Sequence, residues 1–311
     1  MENLNLVKTL KQEISKKIIG QEDMIDKILI GLFTESHILL EGLPGLAKSL
    51  TVNTMAETLG LDFSRIQFTP DLLPSDVIGT EIYNEKTGTF HVKKGPVFGN
   101  IILADEINRA PAKVQSALLE AMQERQITIA SETHKLDNPF IVLATQNPIE
   151  QDGTYQLPEA QQDRFLMKVK VEYPTREEER EILKLLTEQT FEDIKIDPIL
   201  DRHKIKEIKE EVRKVHLDER LKDYILDIIF KTRETNEYID CGASPRASIA
   251  LVVASKANAY ISGRDYVMPE DIKRVVYDIL RHRIILSYDA QAEDKGIEDI
   301  IEKILEEVVL P

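Results

Sequence analysis

The sequence contains few of the residues that crosslink a fold or hold a transition metal. It has no tryptophan and one cysteine, Cys241, in 311 residues. A single cysteine cannot form an internal disulfide, so a reducing cytoplasm is the simplest setting. The six histidines show no His-x-x-x-His or Cys/His spacing. That absence argues against a transition-metal site.

Long apolar segments and an excess of basic residues are absent as well. No apolar run approaches the ~20 residues of a membrane-spanning helix, and the first residues lack the basic start and apolar core of a signal peptide. We therefore expect a cytoplasmic chain with no membrane span. With 55 acidic and 40 basic residues, the net charge is −15, which disfavours nucleic acid as a partner.

The remaining composition, 42% hydrophobic and 31% charged, is typical of a globular protein, and the length suffices for about two domains. Over residues 1–190, short apolar runs alternate with helical periods, which predicts an α/β domain with a parallel sheet. Predicted strands lie near 38–40, 63–68, 101–106, 140–145 and 165–171. Residues 191–311 show only helical periods, near 203–214, 218–234, 244–262, 269–285 and 296–308. They predict a smaller all-helical domain.

Two hairpins are predicted within the α/β part. The first lies near 80–92 and turns at Lys86-Thr87-Gly88. The second spans 126–136 and turns near Ser131-Glu132-Thr133. Both turns consist of polar residues and glycine.

A glycine- and proline-rich turn follows the first predicted strand and precedes a helical pattern. Its sequence is Gly42-Leu43-Pro44-Gly45-Leu46-Ala47-Lys48-Ser49. Such a turn places backbone N–H groups and a helix N-terminus around a phosphate, and Lys48 adds a full positive charge. Ser49 can offer its hydroxyl to Mg²⁺. Ala47 departs from the pattern G-x-x-x-x-G-K-[ST], and alanine disfavours positive φ.

Polar residues end two of the later predicted strands. Asp105 and Glu106 end the third strand, and Asn147 follows the fourth. Carboxyl ends of parallel strands share one edge of the sheet, so these side chains should lie beside the turn. Asp105 can hold Mg²⁺ through water, and Glu106 can polarise a water that attacks a phosphate. Asn147 either orients that water or caps a loop.

Two further residues are candidates for nucleotide contact. Ile19 lies in a short apolar turn upstream of the first strand, where it can pack on an adenine ring or simply connect two helices. Ser244-Pro245 is typical of a helix start, so Arg246 falls in a first turn, where a cation is unfavourable. Arg246 therefore needs an anion from elsewhere, and ATP phosphate is one candidate.

Together these features resemble the AAA+ ATPases, and the amino-acid sequences of the motifs resemble those of the MoxR family. Four stretches carry the resemblance, namely residues 42–49, 104–110, 144–148 and 157–165, and it covers nearly the whole chain. Alanine at position 47 is usual in that family. The resemblance implies that Lys48 and Ser49 form Walker A and that Asp105 and Glu106 form Walker B.

The same resemblance assigns roles outside the two Walker motifs. It implies that Asn147 is the first sensor and Arg246 the second, in a lid over the nucleotide. Arg164 is similar to the arginine finger that such proteins offer to the neighbouring subunit's ATP. Arg109 is a weaker candidate for an intersubunit contact.

The function implied is Mg²⁺-dependent ATP hydrolysis by a homo-oligomeric ring, commonly a hexamer, with the hairpins facing its pore or face. MoxR proteins resemble chaperones that act in the assembly, maturation or cofactor insertion of client proteins, often with a partner bearing a von Willebrand factor A domain. One alternative is a magnesium-chelatase-type motor subunit. A second is a nucleotide-switched scaffold with little turnover, and a third is a DNA translocase, which the charge disfavours.

Overall fold

The computed structural model describes residues 2–148, 154–188, 190–191, 193–234 and 237–311. Its first part contains six α-helices and nine strands within those residues. In chain order they are α1 (Glu2–Ser15), α2 (Glu22–Phe33), β1 (Ile38–Glu41), α3 (Lys48–Thr58), β2 (Phe63–Gln67), α4 (Pro74–Ile78), β3 (Gly79–Asn84), β4 (Thr89–Lys94), β5 (Ile101–Asp105), α5 (Ala112–Glu124), β6 (Gln126–Ile129), β7 (Glu132–Lys135), β8 (Ile141–Gln146), α6 (Glu159–Gln162) and β9 (Met167–Lys170).

The five predicted strands form one parallel sheet in the order β2-β5-β8-β1-β9, which confirms the predicted α/β class. The central strands are apolar throughout because helices cover both faces of the sheet. Alternate residues of β1 show this directly. Ile38 and Leu40 join the hydrophobic cluster on one face, and Leu39 joins the cluster on the other. All five carboxyl ends therefore meet at one edge.

The second part is mainly helical, as predicted. Its elements are α7 (Arg176–Glu188), α8 (Arg202–Lys214), α9 (Glu219–Lys231), β10 (Ile239–Cys241), α10 (Pro245–Ile261), α11 (Pro269–Leu280), β11 (Ile285–Leu286), α12 (Tyr288–Ala292) and α13 (Ile297–Glu307). The prediction of helix alone is wrong at one place, because β10 and β11 form a two-stranded antiparallel ribbon. The helix expected over 269–285 ends at Leu280. The next residues leave the helix and bond to the α/β part.

Buried charges join the two parts. Lys27 of α2 is 1% exposed, and its Nζ donates to the Arg274 carbonyl at 2.5 Å and lies 2.5 Å from Asp278 Oδ2 in α11. One hydrophobic cluster also contains residues of both parts. The change to mainly helical structure follows β9, and both parts share one hydrophobic cluster, so the division into domains 1–190 and 191–311 stays a prediction.

Both predicted hairpins are present. β3 pairs with β4 around the residues predicted to turn, and β6 pairs with β7. The second turn comes earlier than the predicted 131–133, because Thr133 already pairs with Thr128 in the ladder. Ala130 takes the positive φ of +53° that the tight turn needs. An alanine is a weak sequence signal for that conformation.

His37, directly before β1, is buried and neutral. Its Nδ1 accepts the Val142 N–H at 2.9 Å, and its Nε2 lies 3.2 Å from the Met122 carbonyl oxygen. Burial lowers the pKa of His37 to about 4. An unfolded histidine binds its proton near pH 6.5. The contribution of His37 to stability is therefore complete above that pH and is lost as pH falls toward 4.

We expect His37→Gln to reduce the pH dependence of stability. Between pH 7 and pH 5 the wild type should lose about 2 kcal/mol more unfolding free energy than the variant, because the native imidazole resists protonation. Urea unfolding at both pH values measures the difference. His203→Gln, an exposed site on α8, is the matched control and should behave as the wild type does. Equal losses in His37→Gln and the wild type would show that His37 does not carry this effect.

Candidate functional site

The turn between β1 and α3 has the backbone of a phosphate cradle. Gly45 and Ala47 both have positive φ, +87° and +55°. The strain foreseen at Ala47 is thus present in the structure. A Cβ on Gly42 would lie 2.9 Å from the Val171 Cβ, so only glycine permits this close approach to the segment after β9. Helix α3 starts at Lys48, and the N–H groups of its first turn have no partners within the helix.

Lys48 is half-buried and folds back on the turn. Its Nζ donates to the Gly42 carbonyl at 2.5 Å and the Leu43 carbonyl at 3.2 Å. Burial lowers the pKa of Lys48, and the nearby Asp105 and Glu106 oppose that shift. A partly desolvated ammonium held by neutral carbonyls gains a stronger, charge-assisted partner when an anion enters the turn.

Asp105 ends β5 and has both carboxylate oxygens engaged. Its Oδ1 accepts the Thr145 hydroxyl at 2.6 Å. Its Oδ2 accepts Arg65 Nε at 3.1 Å and Nη2 at 2.6 Å. Arg65 Nη2 also donates to Gln67 Oε1 at 3.0 Å. Arg65 and Gln67 are two residues apart in edge strand β2, so both side chains lie on one face of it.

Glu106 follows at a sharp bend of the backbone, with φ +56°. Its N–H donates to the Thr145 hydroxyl at 2.8 Å. Its Oε2 accepts Gln67 Nε2 at 2.9 Å and lies 3.0 Å from Arg109 Nε. Arg109, predicted as an intersubunit residue, thus contacts the Glu106 of its own subunit.

These residues surround one cavity of about 360 Å³. It is lined by the turn, by the start of α3 and by the carboxyl ends of β2, β5 and β8: Pro44, Gly45, Leu46, Ala47, Lys48, Ser49, Leu50, Arg65, Gln67, Asp105, Glu106, Thr145, Gln146 and Asn147. The structure therefore brings the predicted cradle, the two carboxylates and Asn147 together. Gly42 and Leu43 contribute through their carbonyls to Lys48.

Besides Gly42 and Leu43, three predicted site residues do not line this cavity. Arg164 follows α6, is exposed, and makes no side-chain hydrogen bond or ion pair within the described part of the chain. Arg246 lies in the first turn of α10, and its Nη1 is 3.2 Å from Asp163 Oδ2. The anion that Arg246 was expected to need is here a carboxylate next to Arg164. Ile19 is partly buried, and its neighbours Gly20 and Gln21 line a separate cavity of about 620 Å³. The roles of all three stay predictions.

Sequence reasoning missed Arg65, Gln67 and Thr145. The signal for the first two was present, because alternate polar residues in a predicted strand must share a face near its carboxyl end. Thr145 had a weaker signal, since a threonine inside an apolar strand is ordinary β-sheet composition.

The oxygen atoms in the cavity suit Mg²⁺. Ser49 supplies a hydroxyl and Asp105 a carboxylate, and Mg²⁺ prefers such hard ligands. Among the described residues, no group of three or more His, Cys, Asp or Glu side chains is placed to hold a metal. Phosphate oxygens and water would therefore complete the coordination, as is usual for Mg²⁺ bound with a nucleotide.

Comparison with known proteins places this geometry in a family. Residues 37–167 match the family described as "ATPase family associated with various cellular activities (AAA)", and residues 231–304 match the AAA lid domain. The chain is 46% identical over 307 residues to the protein named Chaperone MoxR1 of Mycobacterium tuberculosis, covering 96% of this chain and 81% of that protein. The chain belongs to the MoxR family of AAA+ ATPases.

Two further proteins are similar to this MoxR-family chain over nearly all of its length. The uncharacterised protein YeaC of Bacillus subtilis is 44% identical over 300 residues, covering 96% of this chain and 93% of that protein. The crystal structure of a candidate ATPase from Cytophaga hutchinsonii is 53% identical with a TM-score of 0.93, covering 100% of this chain and 96% of that one. The predicted AAA+ core with a helical lid is therefore confirmed. No helix of the described chain is both long and apolar enough to span a bilayer.

Proposed function

We propose that this MoxR-family chain binds ATP with Mg²⁺ in the 360 Å³ cavity and hydrolyses it. The observation that carries the proposal is that Lys48, Asp105, Glu106 and Asn147 line one cavity at the carboxyl edge of the sheet. A cation, two carboxylates and an amide at that edge are the groups needed to hold a triphosphate and direct water at it.

Each residue has a separate role in the proposed reaction. Lys48 and the N–H groups of the turn bind the phosphates. Ser49 and Asp105 would hold Mg²⁺, Asp105 through water, and the ion would neutralise charge on the phosphate oxygens. Glu106 accepts a proton from the attacking water, and Asn147 donates a hydrogen bond that orients this water. Thr145 holds the Glu106 backbone at the distance given above.

A ring, commonly a hexamer in this family, fits the placement of the arginines. Arg164 is exposed and makes no ion pair among the described residues, so its side chain is available to a phosphate bound by a neighbouring subunit. Arg246, the proposed second sensor, contacts Asp163, the residue that precedes Arg164. This placement supports a role for Arg164 as an arginine finger at the neighbouring subunit's cradle. The cradle of its own subunit would then need the Arg164 of another subunit.

The proposed biological role is the chaperone-like remodelling of a client protein in the cytoplasm, in its assembly, maturation or cofactor insertion. The name of the Mycobacterium relative supports it, and a partner with a von Willebrand factor A domain would select the client. Hairpin β3–β4 offers a docking surface, because Tyr83 and Phe90 are 52% and 63% exposed with ring centroids 5.1 Å apart. They lie on the strands and not in the polar turn, so they suit contact with one specific partner better than apolar contact with unfolded chains of varied sequence.

Glu106→Gln should separate binding from chemistry. It keeps the cradle and Asp105, so ATP should bind as in the wild type, whereas turnover should fall by about 10²–10⁴-fold because no carboxylate accepts the proton. Lys48→Ala should lose binding itself. Fluorescent-nucleotide titration and phosphate release measure the two properties. Glu124→Gln, exposed on α5, is the matched control. Wild-type turnover by Glu106→Gln would refute its role as general base.

Mixed rings should show that Arg164 acts on the neighbour. An arginine finger contributes about 10³–10⁵-fold in other NTPases, so Arg164→Ala and Lys48→Ala should each be nearly inactive alone. Mixing them should restore phosphate release, because an intact cradle then meets an intact finger. Mixing Arg164→Ala with the double variant Arg164→Ala/Lys48→Ala should restore nothing. Failure of the first mixture, with mixed rings demonstrated, would contradict action in trans.

The polar hairpin turns also predict which substrates will not be processed. We expect no ATP-driven unfolding of a stably folded, fluorescent, tagged protein, since the turns offer no apolar grip. We also expect no stimulation of ATPase activity by single-stranded or duplex DNA at physiological salt, given the acidic charge. Loss of fluorescence and the rate of phosphate release measure these outcomes. Robust unfolding or stimulation by DNA would overturn the assignment to a specific protein partner.

A further inference from the structure

Arg65 is a cation inside the proposed nucleotide cavity that no Walker motif or sensor accounts for. It lies on β2, the edge strand of the sheet, opposite Leu103 of β5. Its side chain is 51% exposed and lines the same cavity as Lys48 and Ser49. Two cationic side chains of the subunit therefore line the cavity. Lys48 lies at the cradle, and Arg65 lies beside Asp105, the proposed Mg²⁺ ligand.

The contact between Arg65 and Asp105 uses one oxygen of the carboxylate, Oδ2. Two guanidinium N–H groups, on Nε and Nη2, point at Oδ2 from 3.1 and 2.6 Å. Oδ1 accepts one hydrogen bond, from the Thr145 hydroxyl. A carboxylate oxygen has two lone pairs, so Arg65 saturates Oδ2 while one lone pair of Oδ1 is left. A magnesium-bound water that donates to Oδ2 must displace one of these N–H groups, and one that donates to Oδ1 meets a carboxylate whose charge the guanidinium already compensates.

We propose that Arg65 is the counter-ion of Asp105 in the nucleotide-free subunit and competes with Mg²⁺ for it. The inference rests on the proposed function, because it concerns the same cavity. Arg65 neutralises Asp105 while metal is absent, which keeps a bare carboxylate from repelling entering phosphates. When Mg²⁺ and nucleotide are bound, the guanidinium gives up Oδ2, and Gln67 Oε1, 3.0 Å from Nη2, remains as its partner.

Two effects of removing Arg65 follow, and they have opposite signs. In Arg65→Gln, binding of nucleotide without metal should weaken, because Asp105 then faces the phosphates with its charge uncompensated. Binding of Mg²⁺ to the nucleotide-loaded subunit should strengthen, because no guanidinium occupies Oδ2. Any direct attraction between Arg65 and the phosphates changes both affinities alike and cancels in their ratio.

The ratio of the nucleotide Kd in EDTA to the Kd in Mg²⁺ tests the proposal. It is measured with a fluorescent ATP analogue under both conditions, and binding of Mn²⁺ followed by EPR at saturating ADP gives the metal affinity directly. Arg65→Gln should raise the ratio about three- to fivefold, the size expected of a half-exposed ion pair. Arg65→Lys, which keeps the charge but loses the paired donors, should give an intermediate ratio and serves as second variant if Arg65→Gln folds poorly.

Two controls isolate the contact. Arg213→Gln removes an arginine that is 62% exposed and paired with Glu210 at 2.9 Å on α8, and should leave the ratio at the wild-type value. In an Asp105→Asn background, Arg65→Gln should change the ratio no further, because the pair is already broken. An unchanged ratio in both Arg65 variants, with Mg²⁺-dependent binding by the wild type, would overturn this inference alone. Absence of nucleotide binding by the wild type would overturn the proposed function as well.

Discussion

The Thr145 hydroxyl joins its own strand, β8, to the end of β5, where both acidic residues of the site lie. It donates to Asp105 Oδ1 at 2.6 Å and accepts the Glu106 N–H at 2.8 Å. Because the chain bends sharply at Glu106, this second bond fixes the direction in which the Glu106 side chain leaves the sheet. Asp105 and Glu106 therefore face the cradle from a position set by β8, and Asn147, two residues beyond Thr145, comes to the same cavity.

The helical part is attached to the segment that carries Arg164 through a second polar cluster. Arg283, with a side chain 3% exposed, donates to Asp163 Oδ1 at 2.7 Å and to the carbonyls of Phe165 and Leu166 at 2.7 and 3.0 Å. Burial lowers the pKa of Arg283, and Asp163 opposes that shift. The side-chain hydrogen bonds of Arg283 end on the chain around Arg164 or on Ile279 of α11, so the exposed Arg164 projects from a segment supported by the lid.

The strands and the cradle could be predicted because their signals are local. Each sheet strand is an apolar run bounded by turns, and the Gly-Pro turn before Lys48 has few other uses. Contacts between distant segments could not be predicted. Residues 281–283 leave the helix where Arg281 and Arg283 donate to the carbonyls of Lys168 and Leu166, which lie more than 110 positions away in the chain. The pairing of Arg65 with Asp105 depends on the order of strands in the sheet. That order is a property of the whole fold, since no single stretch specifies which strands are neighbours.

Phosphate release by the wild-type chain tests most directly the proposal that one subunit's cavity works with another subunit's arginine. The rate per subunit, at saturating ATP and Mg²⁺, is measured while the protein concentration is varied from monomer to the proposed ring, with the assembly state determined at each concentration. We expect almost no turnover from the dilute monomer and a steep rise as rings form, because Arg164 makes no contact with its own cavity. A rate per subunit that stays constant from monomer to ring, or no turnover at any concentration, would contradict this mechanism.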